Sequence, residues 1–290
     1  MLPTVESFYD IPTSTFTHVV YDRAGGRAAI VDPVLDFDPS TARTTTVGAD
    51  SVLRFLRDRR LTVDWILETH AHADHLTAAH YLKAITGAQV AIGRGISLVQ
   101  QRFSALFGLE PEFPTNGSQF DRLLADDDTF PIGELSAHAL ATPGHTDDSL
   151  TYLIGDAAFV GDTLFAADTG TARADFPGGD AHKLYRSIQK LFALPDETRI
   201  FLCHDYPPAQ REARAQSSVA EQKARNVHVG GAVSEESFVR MRAERDAKLP
   251  APRLILPSLQ VNIRAGALPP PDRNGISYLR LPINQLGATR

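Results

Sequence analysis

The chain contains only one cysteine, Cys203, among 290 residues. A single thiol excludes an internal disulfide and is typical of a protein from a reducing compartment. The chain also lacks an apolar run of the roughly 18 residues that a membrane-spanning helix needs. Its first ten residues hold two acids and no base, a composition that fits neither a secretory signal nor an organelle presequence. The sequence therefore predicts a cytoplasmic protein that does not contact a membrane.

Clusters of basic residues are also missing. Lys and Arg number 29 against 35 Asp and Glu, and the net charge is −6 at pH 7. Because nucleic-acid binding needs clustered cations, a nucleic-acid partner is disfavoured. With 43% hydrophobic residues and no repeat or linker, the chain can bury one large core. We expect a single domain over 1-290, with a core at about 10-210 and a C-terminal extension, 211-290, packed on it.

Strand-like and helix-like segments alternate along the chain. Strands are predicted at 14–22, 27–34 and 62–68, and helices at 51–60 and at 75–87, where Asp74 is a candidate N-cap and Gly87 a terminating glycine. From 119 onward strands dominate, before a helix around 181–194 and a strand leading to His204. The tail holds an amphipathic helix near 234–248 and extended segments that include 253–266. This pattern predicts an α/β protein with helices covering sheets.

The stretch "THAHADH", residues 69 to 75, places three histidines and an aspartate directly after an apolar run. Buried polar groups need partners, and a metal ion is the partner that suits imidazoles and a carboxylate. Other polar residues also follow predicted strands: these are His145, Asp162 and His204. Ligand sites form at strand ends, where loops aim side chains at one point. The sequence therefore predicts one metal site built from four strand ends.

The remaining histidines favour structural roles. They are His18, His80, His138, His182 and His228. His80 lies on a predicted helix and is expected to be solvated. Cys203 is expected to be a small buried apolar residue.

The motifs "THAHADH", "TPGHT", "GDTLF" and "CHDY" together resemble the metallo-β-lactamase superfamily. This resemblance implies an αββα sandwich with the metal at one edge of its two sheets. The segments "GDTLFAADTGTARADFPGGD", "SSVAEQKARNVHV" and "PSLQVNIRAG" are similar to the persulfide dioxygenases, in particular the bacterial β-lactamase-like hydrolase type. These enzymes oxidise glutathione persulfide with O₂ and water to sulfite and glutathione, in sulfide detoxification, with one Fe(II) per chain.

By this resemblance the iron ligands are His70, His145 and Asp162. Two imidazoles and one carboxylate leave open positions on the metal, as in non-haem iron oxygenases. The residues implied around the iron, as groups that orient ligands and bound water, are His72, Asp74, His75, His204 and Tyr206. The candidate contacts to the carboxylates of glutathione are Arg173, Lys223 and Arg225, of which Arg173 is the strongest. The partners implied are glutathione persulfide and O₂, and the sequence leaves a homodimer open.

Two other functions remain open. The same motif residues can bind two zinc ions, as in a dinuclear hydroxyacylglutathione hydrolase of the glyoxalase II type, which uses a metal-bound hydroxide. The extended character predicted for the tail argues against the helical substrate-binding domain of such a hydrolase. The other alternative is a metal-binding or interaction module without catalysis, and the complete ligand set argues against it.

Overall fold

Two six-stranded sheets form the centre of the molecule, in a computed structural model that describes residues 2–285. In chain order the strands are β1 (Thr4–Asp10), β2 (Thr15–Tyr21), β3 (Arg27–Val31), β4 (Val34–Asp38), β5 (Arg43–Thr45), β6 (Thr62–Leu67), β7 (Leu76–Thr77), β8 (Gln89–Gly93), β9 (Arg122–Leu124), β10 (Thr129–Ile132), β11 (Leu135–Ala141), β12 (Leu150–Ile154), β13 (Ala157–Phe159), β14 (Arg199–Phe201) and β15 (Gln216–Ser218). The helices are α1 (Val47–Asp58), α2 (Ala79–Thr86), α3 (Ile96–Phe107), α4 (Ala181–Phe192), α5 (Val219–Arg225), α6 (Glu235–Asp246) and α7 (Ile255–Asn262).

The first sheet has the strand order β1-β2-β3-β6-β8-β9, and the second has the order β10-β11-β12-β13-β14-β15. A small third sheet, β5-β4-β7, flanks the first. Strands β3, β6, β8 and β9 run parallel to one another. In the second sheet β11 and β13 both run antiparallel to β12, and β14 runs parallel to β13. The carboxyl ends of β11, β13 and β14 therefore lie at one edge of that sheet.

Alternating side chains show how the layers are stacked. In β3, Ala28 and Ile30 belong to the cluster that packs under α1, α2, α3 and α7, whereas Ala29 and Val31 belong to the cluster between the two sheets. This is the period of two that strands impose. On the far side, helix α4 packs Leu184 and its apolar neighbours against the second sheet. The result is helices, sheet, sheet, helices, so the predicted αββα sandwich is confirmed.

Two local predictions were wrong. The segment 253–266 is not extended, because residues 255–262 form helix α7. Pro257 lies in the first turn of that helix, where backbone N–H groups have no intrahelical acceptor, so proline is tolerated. Asp74 is not the N-cap of α2, which begins at Ala79, and the predicted terminating Gly87 does adopt the left-handed conformation, with φ +72°. Strand β7, Leu76–Thr77, lies between Asp74 and the start of α2.

The C-terminal extension packs on both outer faces of the sandwich. Helix α6 contacts α4 beside the second sheet, and Ile255, Leu259 and Ile263 of the α7 segment enter the core beneath the first sheet. The extension therefore contains three helices and one short strand and is not mainly extended, which removes the sequence argument against a glyoxalase II type of hydrolase. Within residues 2–285 no helix combines the length and the apolar character that a membrane crossing requires. The assignment of a single domain stays a prediction.

Candidate metal centre

The predicted metal-site residues converge at one edge of the sandwich. The loop that follows β6 carries the cluster His70 to His75, and His145, Asp162 and His204 follow β11, β13 and β14. The two sheets meet here, since Thr15 at the start of β2 forms a bridge with His204 and the N–H of Phe16 donates to the carbonyl of Cys203 at 2.7 Å. The strand ends thus deliver distant residues to one place.

His70, His145 and Asp162 form a first group, whose potential ligand atoms all lie within 4.8 Å of one another. The Oδ2 atom of Asp162 lies 3.5 Å from Nε2 of His145 and 3.9 Å from Nε2 of His70. The Nδ1 atoms have other partners: that of His145 lies 2.8 Å from the carbonyl oxygen of Arg173, and that of His70 lies 3.1 Å from Oγ1 of Thr69. Both Nε2 atoms therefore face the carboxylate and the space beside it.

A second group comprises His72, Asp74, His75 and His204. Nε2 of His204 lies 3.2 Å from Oδ2 of Asp74 and 3.3 Å from Oδ1 of Asp162. Asp162 thus has one oxygen toward each group. This arrangement could hold one cation at either group, or two cations that share the carboxylate of Asp162.

The buried polar atoms of the site fit a metal ion. Among the described residues, buried atoms that make no hydrogen bond include Nδ1 of His72, Nε2 of His75, Nε2 of His204 and Oδ1 of Asp162. Buried groups of this kind are costly unless they are paired. Nitrogen and carboxylate donors in this ratio suit first-row metals such as iron and zinc. The donor set therefore fits a metal site, and it does not select the metal.

The electrostatics agree with that assignment. Burial, followed by the neighbouring imidazoles, lowers the pKa of His70 and of His72 well below the usual value, so both stay neutral and keep lone pairs for a metal. Burial raises the pKa of Asp162. Burial also opposes protonation of His204, but the carboxylates of Asp74 and Asp162 outweigh it and raise its pKa. The carboxylates thus attract positive charge, which a bound cation supplies.

Asp32 holds the loop that follows β6 and carries His70 to His75, which we call the metal loop. Its carboxylate accepts the backbone N–H of Thr69 at 2.7 Å and the hydroxyl of Thr69 at 2.9 Å, and it lies 3.0 Å from Nε2 of His72. Asp32 is buried and has φ +49°, a left-handed conformation that costs energy for a non-glycine residue. The strained backbone aims the carboxylate at the loop, so Asp32 fixes how His72 is oriented.

A cavity of about 580 Å³ opens over the site. Asp74, His145 and Asp162 line its floor, and Tyr206 lines its wall. The ring of Tyr206 stacks on that of His204 with 5.9 Å between their centroids. The rim includes residues 249–254, which follow α6. The C-terminal extension therefore forms part of the wall of the cavity.

The predicted substrate contacts are placed very differently. Arg173 lines the cavity, but its guanidinium binds both carboxylate oxygens of Asp175, at 2.6 and 2.8 Å, and the carbonyl of Pro250 at 2.6 Å. Lys223 pairs with Asp196 at 2.6 Å and lines a separate cavity, and Arg225 is exposed on α5. Neither of these two lines the cavity over the metal site.

Two arginines that sequence reasoning missed do line this cavity. Arg245 and Arg253 are exposed, and within residues 2–285 neither side chain has an acidic partner or a hydrogen bond. In a chain of net charge −6, free guanidinium groups beside a cavity favour an anionic ligand. Both arginines lie in the C-terminal extension, where no sequence motif distinguishes them from other surface arginines.

Other supporting residues were also missed. Oγ1 of Thr15 lies 3.2 Å from Nδ1 of His204 and 3.4 Å from Nδ1 of His75. Asp32 ends the strand-like run "AAIVD", so the strand-end rule used for the candidate ligands could have found it. Of the histidines assigned structural roles, His18 is buried and His80 is exposed on α2. Cys203 is buried, as expected.

Comparison with known proteins places this geometry in a family. A profile of the metallo-β-lactamase superfamily matches residues 10–204. A protein of Burkholderia pseudomallei described as a probable metallo-hydrolase is 49% identical, over 98% of this chain and 100% of that protein. Glyoxylase B2 of Dictyostelium discoideum is 46% identical, over 97% of each chain. The mitochondrial persulfide dioxygenase ETHE1 of Homo sapiens is 28% identical, over 92% of this chain and 90% of that protein.

Among solved structures, the crystal structure of ETHE1 from Myxococcus xanthus superposes with a TM-score of 0.72. It is 32% identical, and the match covers 92% of this chain and 100% of that one. The similarity therefore extends beyond the sandwich core into the C-terminal extension.

Proposed function

The chain belongs to the metallo-β-lactamase superfamily, and on this basis we propose that it is a persulfide dioxygenase, which oxidises glutathione persulfide with O₂ and water to sulfite and glutathione. The observation that carries the proposal is the group of His70, His145 and Asp162, to which His72 does not belong. Two imidazoles and one carboxylate are the ligand set of non-haem iron oxygenases. The similarity to ETHE1 proteins supports the same reading.

In this proposal His70, His145 and Asp162 hold one Fe(II), which supplies the redox chemistry that O₂ requires. The protein supplies binding and orientation. The carbonyl of Arg173 fixes the ring of His145, and Thr69 fixes that of His70. His72, Asp74, His75 and His204 surround the centre and orient groups bound there. Tyr206 closes one wall of the cavity.

The cavity suits a glutathione-sized anion. Glutathione carries two carboxylates, and Arg245 and Arg253 offer guanidinium groups without other partners among the described residues. A guanidinium can bind a carboxylate through two parallel hydrogen bonds. We therefore propose Arg245 and Arg253 as carboxylate contacts, ahead of Lys223 and Arg225, which line other surfaces.

A dinuclear zinc hydrolase that acts on a glutathione thioester is the second candidate. It is favoured by the second group, His72, Asp74, His75 and His204, which could hold another ion beside the shared Asp162. The three helices in the extension and the similarity to glyoxylase B2 support it too. In that case the metals lower the pKa of a bound water, and the same cavity holds the glutathione moiety.

One experiment separates the two candidates. Metal-free protein is reloaded under anaerobic conditions with Fe(II) or with Zn(II), and each form is given glutathione persulfide or S-lactoylglutathione. The proposal expects O₂ uptake with sulfite formation by the iron form alone, at one iron per chain. Thioester hydrolysis by protein holding two zinc ions, without O₂ uptake by the iron form, would overturn it.

A further inference from the structure

Helix α7, in the C-terminal extension, reaches the metal loop through one side chain. Asn262 is buried, at 3% exposure, and makes three hydrogen bonds to the backbone of residues 72–77. Its Nδ2 donates to the carbonyl oxygens of His72 and His75, both at 2.8 Å. Its Oδ1 accepts the N–H of Thr77 at 2.9 Å. These bonds join residues that are 185 to 190 positions apart in sequence.

The chemistry of these bonds allows only one arrangement of the amide. Backbone carbonyls only accept and backbone N–H groups only donate, so Nδ2 must face the carbonyls and Oδ1 must face Thr77. Both hydrogens of Nδ2 are used. No other residue type of this size offers two donors and an acceptor, and the loop backbone it holds is not part of a regular helix or strand before β7.

The end of α7 is itself held close to the loop. Gly266 has φ +85°, and a Cβ atom there would lie 3.0 Å from the N of His80 and from the carbonyl oxygen of Thr77. Arg264 binds both oxygens of Glu110, at 2.7 and 2.9 Å. Asn262 is therefore presented by a fixed support.

We infer that Asn262 is a positioning residue of the metal centre, which holds the backbone of the His72–His75 segment so that its imidazoles and Asp74 face the metal. The inference applies whether the centre holds one iron or two zinc ions, since it concerns the loop and not the reaction. It also assigns the extension a part in building the centre as well as in forming the cavity.

The test compares three variants with the wild type. Asn262→Asp keeps the size and the acceptor but replaces the donors by oxygen, which the two carbonyls repel. Asn262→Ala removes all three bonds without adding a buried charge, and so serves where the aspartate variant folds poorly. The matched control is Gln100→Glu, the same change of amide to carboxylate in another buried residue, at 0% exposure, which donates to the carbonyl of Ile263 just after α7 and makes its other hydrogen bonds to Gln119 and Gly117, away from the metal loop.

Each protein is freed of metal and titrated with Co(II) against a chromophoric chelator, well below the lowest melting temperature of the set. Supporting residues around a metal typically change its affinity by about 10- to 100-fold. We expect a loss of that size in both Asn262 variants, together with altered visible absorption bands of the bound Co(II). The control should stay within about twofold of the wild type with unchanged bands.

Two outcomes would overturn the inference. One is wild-type Co(II) affinity and absorption in Asn262→Ala. The other is an equal loss of affinity in Gln100→Glu, which would mean that general destabilisation of α7, and not the contact with the loop, weakens the centre.

Discussion

The Nδ1 atom of His145 lies 2.8 Å from the carbonyl oxygen of Arg173. Since a carbonyl only accepts, the ring donates from Nδ1 and leaves Nε2 as the nitrogen for a metal. The side chain of the same arginine binds Asp175 and the carbonyl of Pro250 on the rim. Arg173 thus connects the metal centre to the wall of the cavity through its backbone and its side chain at once.

This position gives the first prediction. If Arg173 acts by holding the rim through Asp175, then Arg173→Ala and Asp175→Asn should lower kcat/KM by similar factors in the O₂-uptake assay, and the double variant should lose little more. Arg173→Lys should rescue only in part, because lysine lacks the planar fork. If Arg173 instead binds the substrate carboxylate, Asp175→Asn frees the guanidinium and leaves KM unchanged or lower.

The second prediction concerns how the metal is divided between the two groups. Asp162→Ala removes the carboxylate that faces both groups, so this variant should retain no iron. His75→Ala and His204→Ala should keep about one iron per chain while activity falls about 10- to 100-fold. Metal content by mass spectrometry and O₂ uptake provide the two readings.

The control for metal retention is a substitution at an aspartate outside both groups. Asp156→Ala breaks an ion pair with Arg199 at the start of β13, the opposite end of that strand from Asp162, and should retain metal fully. Two zinc ions in the wild type, with one lost from His204→Ala, would favour the hydrolase.

The third prediction is that Arg253→Gln and Arg245→Gln each raise KM for glutathione persulfide. A charge-assisted hydrogen bond contributes about 1.5 kcal/mol or more, which is roughly tenfold in affinity. Iron content and kcat should stay near the wild-type values, since both residues are exposed and neither belongs to a candidate ligand group. Arg186→Gln, on the exposed face of α4 beside Glu235, is the matched control. Equal KM values in all four proteins would place the carboxylates elsewhere.

The convergence of the candidate ligands could be predicted from sequence because each follows the end of an apolar strand by three or four residues. His70, His145, Asp162 and His204 all have this local signal, and a sandwich with converging strand ends brings them together. Asp32 also lies at a strand end. Its role depends on its unusual backbone conformation, with φ +49°, which cannot be predicted from the residue types around it.

Contacts made by the extension could not be predicted in the same way. Asn262 and Arg253 act on a loop and a cavity whose other residues lie far away in sequence. The sequence of α7 also misled, because Pro257 and the mixed polar residues mask its helical period. Ser258, Gln260 and Asn262 are buried and polar, so the apolar stripe that identifies a helix is blurred. Tertiary contacts, and not the pattern of residue types, therefore determine that this segment forms helix α7.

The fourth prediction concerns acid stability. Burial lowers the pKa of His18 from 6.5 to about 4, against the weaker opposing effects of the Leu202 carbonyl and Asp32. The unfolded chain therefore binds a proton at His18 below pH 6.5 while the folded protein does not, so stability is lost as the pH falls from 6.5 to about 4. The loss from this residue alone should approach roughly 3 kcal/mol.

His18→Gln removes the titration and keeps a donor and an acceptor for Leu202 and Ser7. Urea unfolding of the metal-free proteins at several pH values gives the comparison. The difference in unfolding free energy between the two proteins should shrink, or reverse in favour of the variant, as the pH falls through this range. A difference that is independent of pH would show that His18 does not titrate in this way.

The last prediction concerns Gly144, which precedes His145 in the loop after β11. Its φ is +138°, and a Cβ atom there would collide with the backbone N and Cα of Leu184 at the start of α4. Backbone atoms of a packed helix cannot move aside as a flexible side chain can. Gly144→Ala should therefore push the loop away from α4, weaken the hydrogen bond from the N–H of Asp180 to the carbonyl of Gly144, and displace His145. We expect about 1 to 3 kcal/mol of destabilisation beyond the backbone strain, together with weaker metal binding.

Gly87→Ala is the matched control, because Gly87 also has a positive φ, +72°, but a Cβ atom there meets nothing within 4 Å. The cost of that substitution should be limited to about 1 kcal/mol of strain, with metal affinity intact. If urea unfolding and chelator competition give the same values for both alanine variants, the close approach of Gly144 to α4 does not position His145.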